Sequence, residues 1–206
     1  MLEKIIAIVA AWIISIISSM GYGGIVLLMA IESACIPLPS EIIMPFAGFL
    51  VFKGELHLWG VALAGAIGCV LGSIPAYYLG MFGGRPLVEK YGRWVLISHH
   101  DLQLADRWFE KYGDAIIFIG RLLPAVRTFI AFPAGVARMA MNKFIVYTFL
   151  GSLIWCYLLA YIGMKLGQHW ESIEVYFHQF HLVLVVLGVI FAAWYIRRHL
   201  KAIRDV

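Results

Sequence analysis

Apolar residues run along this chain in long, almost unbroken stretches, without the alternation of a half-buried strand or the single apolar face of a surface helix. Residues 4–19, 57–81, 142–165 and 181–196 form four such runs of 16 to 25 residues, each close to the roughly 20 that cross about 30 Å of hydrocarbon as a helix. They predict four transmembrane helices. Two further stretches, 24–52 and 114–136, carry charges and prolines in mid-run: Glu32 and Glu41 around Pro37, Pro39 and Pro45, then Arg121 and Arg127 around Pro124 and Pro133. Proline lacks a backbone donor and disfavours helix at the residue before it, so the chain should break there. A broken, charged segment at membrane depth is tolerated only when it is buried in protein or lines a cavity. Folded double, residues 24–52 give two arms of roughly 20 Å, enough to reach mid-bilayer and return. Both stretches are therefore predicted to be re-entrant helical hairpins, with breaks at Pro37, Pro39, Ser40 and Pro124 and at Gly48 and Gly135.

Composition moves the whole chain into the bilayer. Of its 206 residues 63% are hydrophobic and 14% charged, with mean hydropathy +0.89, where soluble domains average roughly 25% charged. No segment is left for a soluble domain, and the first run, lacking a small-residue cleavage pattern, reads as an uncleaved span. The net charge of +4 would suggest nucleic acid in a soluble protein, but here topology explains it first, because cytoplasmic loops collect Lys and Arg. With re-entrant hairpins and a cytoplasmic N-terminus, Lys4, Arg85, Lys90, Arg93, Arg107, Lys111, Arg138, Lys143, Arg197, Arg198, Lys201 and Arg204 lie inside, and only Lys53 and Lys165 outside. Full crossing by both hairpins would destroy that bias. Residues 85–112, with Leu87, Trp94, Leu102, Leu104, Trp108 and Phe109 among the charges, read as a cytoplasmic interfacial helix. Both termini are expected to face the cytoplasm of a bacterial cell.

An internal repeat supports the same architecture. Leu71-Gly72-Ser73 followed by Tyr77-Tyr78-Leu79-Gly80 recurs as Leu150-Gly151-Ser152 followed by Tyr157-Leu158 and Gly163, and each copy follows a proline-broken stretch ending in Ala47-Gly48 or Ala134-Gly135. In the topology above, the first hairpin enters from outside and the second from inside. The predicted fold is thus a single all-α polytopic membrane domain over residues 1–206, built from inverted repeats at 20–84 and 113–167. The segment 85–112 joins the repeats, and a last transmembrane helix occupies 180–198. Inverted repeats with broken helices characterise secondary transporters, whose sites lie where the breaks meet.

Four charges at such positions require a compensating arrangement, since each costs roughly 2.5–3.5 kcal/mol at the centre of a spanning helix. On continuous helices neither Glu32 with Glu41 nor Arg121 with Arg127 could share a face; turns at the prolines let each pair converge. The bland reading is that two carboxylates and two guanidiniums neutralise each other and hold the hairpins together. The functional one uses what each group does best. Arginine stays charged and offers a planar fork suited to phosphate, and helix ends at the breaks add donors that favour an anion. A carboxyl group titrates when desolvation opposes its charge and a nearby arginine supports it. Competition between a lipid phosphate and Glu32 or Glu41 for Arg121 and Arg127 would then give a proton-coupled cycle.

The run from Glu32 through Pro37-Leu38-Pro39-Ser40-Glu41 to Ala47-Gly48, with Gly120-Arg121-Leu122-Leu123-Pro124-Ala125-Val126-Arg127, Ala134-Gly135, Met139 and Phe144, resembles the DedA family over roughly residues 20 to 170. That family is related to the VTT-domain scramblases of eukaryotes. The resemblance implies paired re-entrant hairpins, acidic roles for Glu32 and Glu41, and essential basic roles for Arg121 and Arg127. Some members have Pro-Gly-Asp where this chain has Pro39-Ser40-Glu41. It also implies transport of a lipid such as undecaprenyl phosphate or phosphatidylethanolamine, undecaprenyl phosphate standing first because two arginines suit a phosphate monoester. A proton-coupled transporter of ions or small solutes would use the same charges, and a membrane phosphatase would need a nucleophile such as His, of which neither hairpin has one. No cofactor is expected. His169, His178 and His181 read as interfacial rather than metal-binding, the tryptophans as an aromatic belt, and Gly65, Gly68 and Gly72 as close helix packing. Cys35, Cys69 and Cys156 read as inert packing residues, and Gly83-Gly84-Arg85-Pro86 as a helix end.

Overall fold

The computed structural model describes residues 12–34, 36, 38–95, 113–124 and 126–167, with 84–95 as backbone alone. Every regular element among them is helical: α1 (12–20), α2 (Tyr22–Ser33), α3 (Ser40–Phe52), α4 (Leu58–Val95), α5 (Ala115–Arg121), α6 (Ala131–Val136) and α7 (Met141–Leu166). Two of these contain stretches of 26 residues long and apolar enough to cross a membrane, Leu58–Gly83 and Met141–Leu166, matching two of the four expected spans. The predicted span at 181–196, most of the one at 4–19 and the histidines 169, 178 and 181 lie outside the described residues.

The breaks fall where proline dictates. After Ser33 the chain leaves the helix; Pro39 is extended (φ −80°, ψ 102°) and α3 starts at Ser40, because a residue preceding proline is driven out of the helical region. Pro37 lies outside the described residues. In the second stretch α5 ends at Arg121, and short turns carry residues 122–130 past Pro124 to α6. Pro45 and Pro133 do not break anything. Pro133 sits in the first turn of α6, where no amide donor is needed, and Pro45 inside α3 leaves the Glu41 carbonyl without its helical donor.

The glycines expected at the breaks serve packing instead. Gly48 lies inside α3 and Gly135 inside α6, and they form a reciprocal pattern. A Cβ on Gly48 would collide with the Ala160 carbonyl of α7, and one on Gly163 of α7 with the Pro45 carbonyl, three residues before Gly48. In the other half, Gly135 meets the Tyr77 carbonyl of α4, and Gly80 the Phe132 carbonyl, three residues before Gly135. Only glycine allows backbones to approach this closely. Gly68 and Gly72 pack likewise on the Val26 and Ala30 carbonyls of α2, and Gly65 on Cys156.

These contacts define directions. Val26 and Ala30 meet Gly68 and Gly72 in the same order, so α2 runs parallel to α4; the amide of His57, just before α4, donates to Tyr22 Oη at the start of α2 (2.8 Å). The chain thus returns after α3 to the end where α2 began. In the second half Asp114, before α5, is bridged by Lys143 near the start of α7 at 2.6 Å, and Gly151 packs on the Phe118 carbonyl, so α5 runs parallel to α7. The two long helices are antiparallel: Trp59 stacks on Tyr157 and Tyr77 on Phe144, each at 4.8 Å between ring centroids. A core of Ala76, Tyr77, Ile117, Ala131, Ala134 and Phe144 seals α4 against α5, α6 and α7, and the Tyr77 hydroxyl donates to the Met139 carbonyl.

The expected end of α4 also differs. Gly83-Gly84-Arg85-Pro86 does not end α4, which continues to Val95, so 85–95 prolong the long helix instead of starting a separate interfacial one. Glycine costs only about 1 kcal/mol in a helix interior, so Gly83 and Gly84 do not by themselves end the helix. Residues 96–112 lie outside the described part.

Candidate functional site

The site lies where both breaks meet the middle of α4 and α7. Burial selects it: among the described residues the charged side chains that are fully buried are Glu32, Arg121 and Arg127. Glu32 stands one residue before the end of α2, Arg121 at the end of α5, and Arg127 in the turns that follow. Chain reversal at the breaks brings together groups that are 95 positions apart.

Arg127 donates through Nη2 to Glu32 Oε2 at 3.0 Å, the two side chains being 2% and 5% exposed. The same nitrogen approaches Cys69 Sγ at 3.5 Å, and the guanidinium carbon lies 5.4 Å from the Trp155 ring centroid, within the range of a cation–π contact. Its Nη1 is buried with no hydrogen-bond partner among the described residues. Arg121 donates through Nη2 to Ser73 Oγ at 2.5 Å, and that hydroxyl donates in turn to the Cys69 carbonyl one turn earlier. Each arginine of the second proline-bearing stretch therefore reaches into the first half of the chain.

The four predicted charges are not equivalent. Glu41, in the first turn of α3, is only partly buried and makes no ion pair among the described residues, though it lies within electrostatic range of Glu32 and Arg127. The expected box of two carboxylates facing two guanidiniums is thus one direct pair, Glu32 with Arg127, flanked by Arg121 on a serine and by Glu41. The reason is local: Glu32 ends α2 facing α4, whereas Glu41 opens α3 on the other side of the break.

Several site residues carry no obvious sequence signal. Ser73 and Ser152 are visible as the polar members of the repeated Leu-Gly-Ser, yet only packing shows Ser73 taking a bond from Arg121. Cys69 and Cys156, far apart in sequence, are both buried on the facing helices α4 and α7, Cys69 beside Arg127. Trp155 departs from the expected belt position. It lies in the middle of α7, against Arg127, while Trp59 near the start of α4 is exposed.

The VTT domain family matches residues 38–165. Undecaprenyl phosphate transporter A of Bacillus subtilis (strain 168) is 37% identical over 183 residues, covering 89% of this chain and 90% of the relative. The protein of the same name from Staphylococcus aureus (strain NCTC 8325 / PS 47) is 31% identical over 188 residues, covering 87% and 93%. A relative named alkaline phosphatase-like protein, from Lactococcus lactis subsp. lactis (strain IL1403), is 37% identical over 185 residues, covering 87% and 86%. No solved structure matches at a significant level. A domain match over more than half of the chain, and relatives of this identity over nearly its full length, establish that the chain belongs to the VTT-domain, or DedA, family of membrane proteins.

Proposed function

We propose that this protein carries a phosphate-bearing lipid, undecaprenyl phosphate first, across the cytoplasmic membrane, and that Arg127 and Arg121 hold the phosphate. The observation that carries this reading is the state of Arg127: deep inside the protein, one nitrogen on Glu32, the other without a partner among the described residues. A purely structural ion pair needs no spare donor, and a buried donor left unmet is destabilising. A guanidinium fork presented this way suits the oxygens of a phosphate. The names of the two transporter relatives support the same substrate.

In this reading helices α2–α3 and α5–α6 are re-entrant hairpins dipping from opposite faces, and the antiparallel α4 and α7 are the spans of two inverted repeats. The glycine contacts support that arrangement, since the second arm of each hairpin, α3 or α6, packs on the long helix of the other repeat, and the first arm, α2 or α5, on that of its own. Rocking of one unit against the other would expose the site alternately to the two faces. Protonation of Glu32 releases Arg127 to the phosphate and deprotonation returns it, which couples lipid passage to protons; Glu41 serves as the second, more accessible acid.

The test is transport of a fluorescent polyprenyl phosphate by purified protein in liposomes, with inorganic phosphate release and ion flux measured alongside. Wild type should translocate the lipid without releasing phosphate. Arg127→Lys keeps the charge but loses the fork, and should lower transport at least about tenfold, roughly the worth of a charge-assisted hydrogen bond. Full activity of Arg127→Lys leaves only charge neutralisation standing. Phosphate release would make the protein a phosphatase, and ion flux without lipid movement a small-solute transporter.

A further inference from the structure

Three buried donors on α7 have no partner among the described residues: Thr148 Oγ1, Ser152 Oγ and Trp155 Nε1. Spacings of four and three residues place them on one face of a helix. Trp155 lies against Arg127, and Gly151, next to Ser152, packs so closely on Arg121 that an added Cβ would come within 2.6 Å of the arginine Cβ. The stripe therefore runs alongside both arginines. Thr148 and Ser152 are 0% and 1% exposed, so bulk water does not reach them.

The repeat explains why this stripe is open. In the first unit Gly72 packs on the Ala30 carbonyl, and the adjacent Ser73 accepts a hydrogen bond from Arg121. In the second, Gly151 packs on the Phe118 carbonyl, and Ser152 stands where Ser73 stands. Three residues beyond the contacting carbonyl, the second unit has Arg121 and the first has Ser33. A guanidinium spans the distance to a serine on the opposite long helix. The first unit has only a serine at that position, and Ser152 is without a partner among the described residues. The asymmetry between the repeats thus creates a vacant donor at the place where its mate is satisfied.

What closes this seat follows from the donors. Trp155 Nε1 and Arg127 Nη1 donate and cannot accept, so the missing partner is rich in acceptors: an oxyanion, not a cation or an ammonium headgroup. Resting on the phosphate-lipid reading, we infer that Ser152 and Trp155, with Thr148 behind them, hold the oxygens of the tetrahedral phosphate that Arg127 engages and set the selectivity of the site for that group.

The experiment uses the full chain in phosphatidylcholine nanodiscs, with a polyprenyl monophosphate, the matching polyprenyl alcohol and inorganic phosphate as probes. Trp155→Phe keeps a ring over Arg127 and loses the N–H; Ser152→Ala and Thr148→Val lose hydroxyls with little change in shape. Trp155→Phe and Ser152→Ala should each weaken polyprenyl phosphate binding about five- to tenfold, as loss of one hydrogen bond does, and leave the weak binding of the alcohol unchanged. Melting temperatures of Ser152→Ala and Thr148→Val should hold or rise, because removing an unmet buried donor relieves its desolvation cost. Stability held while affinity falls is the signature of a ligand seat; affinity falling only together with stability would overturn it. Inorganic phosphate displacing the lipid with the same ranking of variants would identify the headgroup alone as the ligand, and failure to displace it the whole lipid; both support the seat. Wild-type affinity in Trp155→Phe and Ser152→Ala, with binding abolished by Arg127→Lys, sinks the inference and leaves the phosphate-lipid reading standing. Absence of polyprenyl phosphate binding by wild type sinks that reading itself.

Discussion

Glu32 and Glu41 are nine positions apart, and in sequence they are alike: each an acid beside prolines in an apolar stretch. The fold separates them. Glu32 is buried against Arg127 at 3.0 Å, whereas Glu41 is partly exposed and without an ion pair among the described residues. Removing one member of a buried pair strands its partner's charge, at a cost of about 3–5 kcal/mol; removing a partly exposed carboxylate that makes no ion pair is expected to cost under about 1 kcal/mol. Glu32→Ala should therefore lower the melting temperature of the purified protein strongly and Glu41→Ala hardly at all, and equal losses would show that both acids pair with arginine. Glu32→Gln mimics the protonated acid. If proton coupling runs through Glu32, lipid binding by wild type tightens as pH falls through the titration of that carboxyl, while Glu32→Gln binds tightly and without that dependence. A binding series across pH with both proteins checks the sign.

At the scale of elements, the fold rests on backbones brought into contact by glycine. Gly48 with Gly163 and Gly135 with Gly80 each place a Cα against the carbonyl of a neighbouring helix, and no flexible side chain is present to give way. Overpacking of this kind costs about 1–3 kcal/mol, so Gly48→Ala and Gly135→Ala should lower thermal stability. Gly23 is the control: it lies in α2 with open space around its Cα, and alanine there gains helix propensity worth up to about 1 kcal/mol. Thermal melts of the three variants in one detergent test the pattern, and a Gly48→Ala protein as stable as Gly23→Ala would mean that the α3–α7 contact is looser than described. The same elements show why Pro39 stands outside a helix while Pro45 stands within one. Pro39 precedes the first turn of α3, where the residue before it is forced out of the helix, whereas Pro45 loses one hydrogen bond within an arm packed tightly on α7.

For the whole molecule, the distribution of Lys and Arg predicts that residues 85–112 and the C-terminal Arg197, Arg198, Lys201 and Arg204 face the cytoplasm. A cysteine introduced at His100 in a protein otherwise free of cysteine should resist a membrane-impermeant thiol reagent added to intact cells and react once the cells are opened. Labelling from outside would reverse the topology and with it the sides from which the two proposed hairpins enter. Composition and patterning by themselves determined the membrane class and the two long apolar helices, expected at 57–81 and 142–165, and singled out the proline-bearing stretches and the charges Glu32, Arg121 and Arg127, which the structure buries. All of these follow from local physics, namely the length of an apolar run, the missing donor of proline and the cost of a charge in hydrocarbon. Tertiary structure alone decided which acid meets which base, that Gly48 and Gly135 join helices instead of breaking them, and that Ser73, Cys69 and Trp155 lie against the two arginines. Those outcomes depend on groups as much as 95 positions apart meeting across antiparallel helices, and neither the spacing nor the chemistry of a single stretch carries the contact between two.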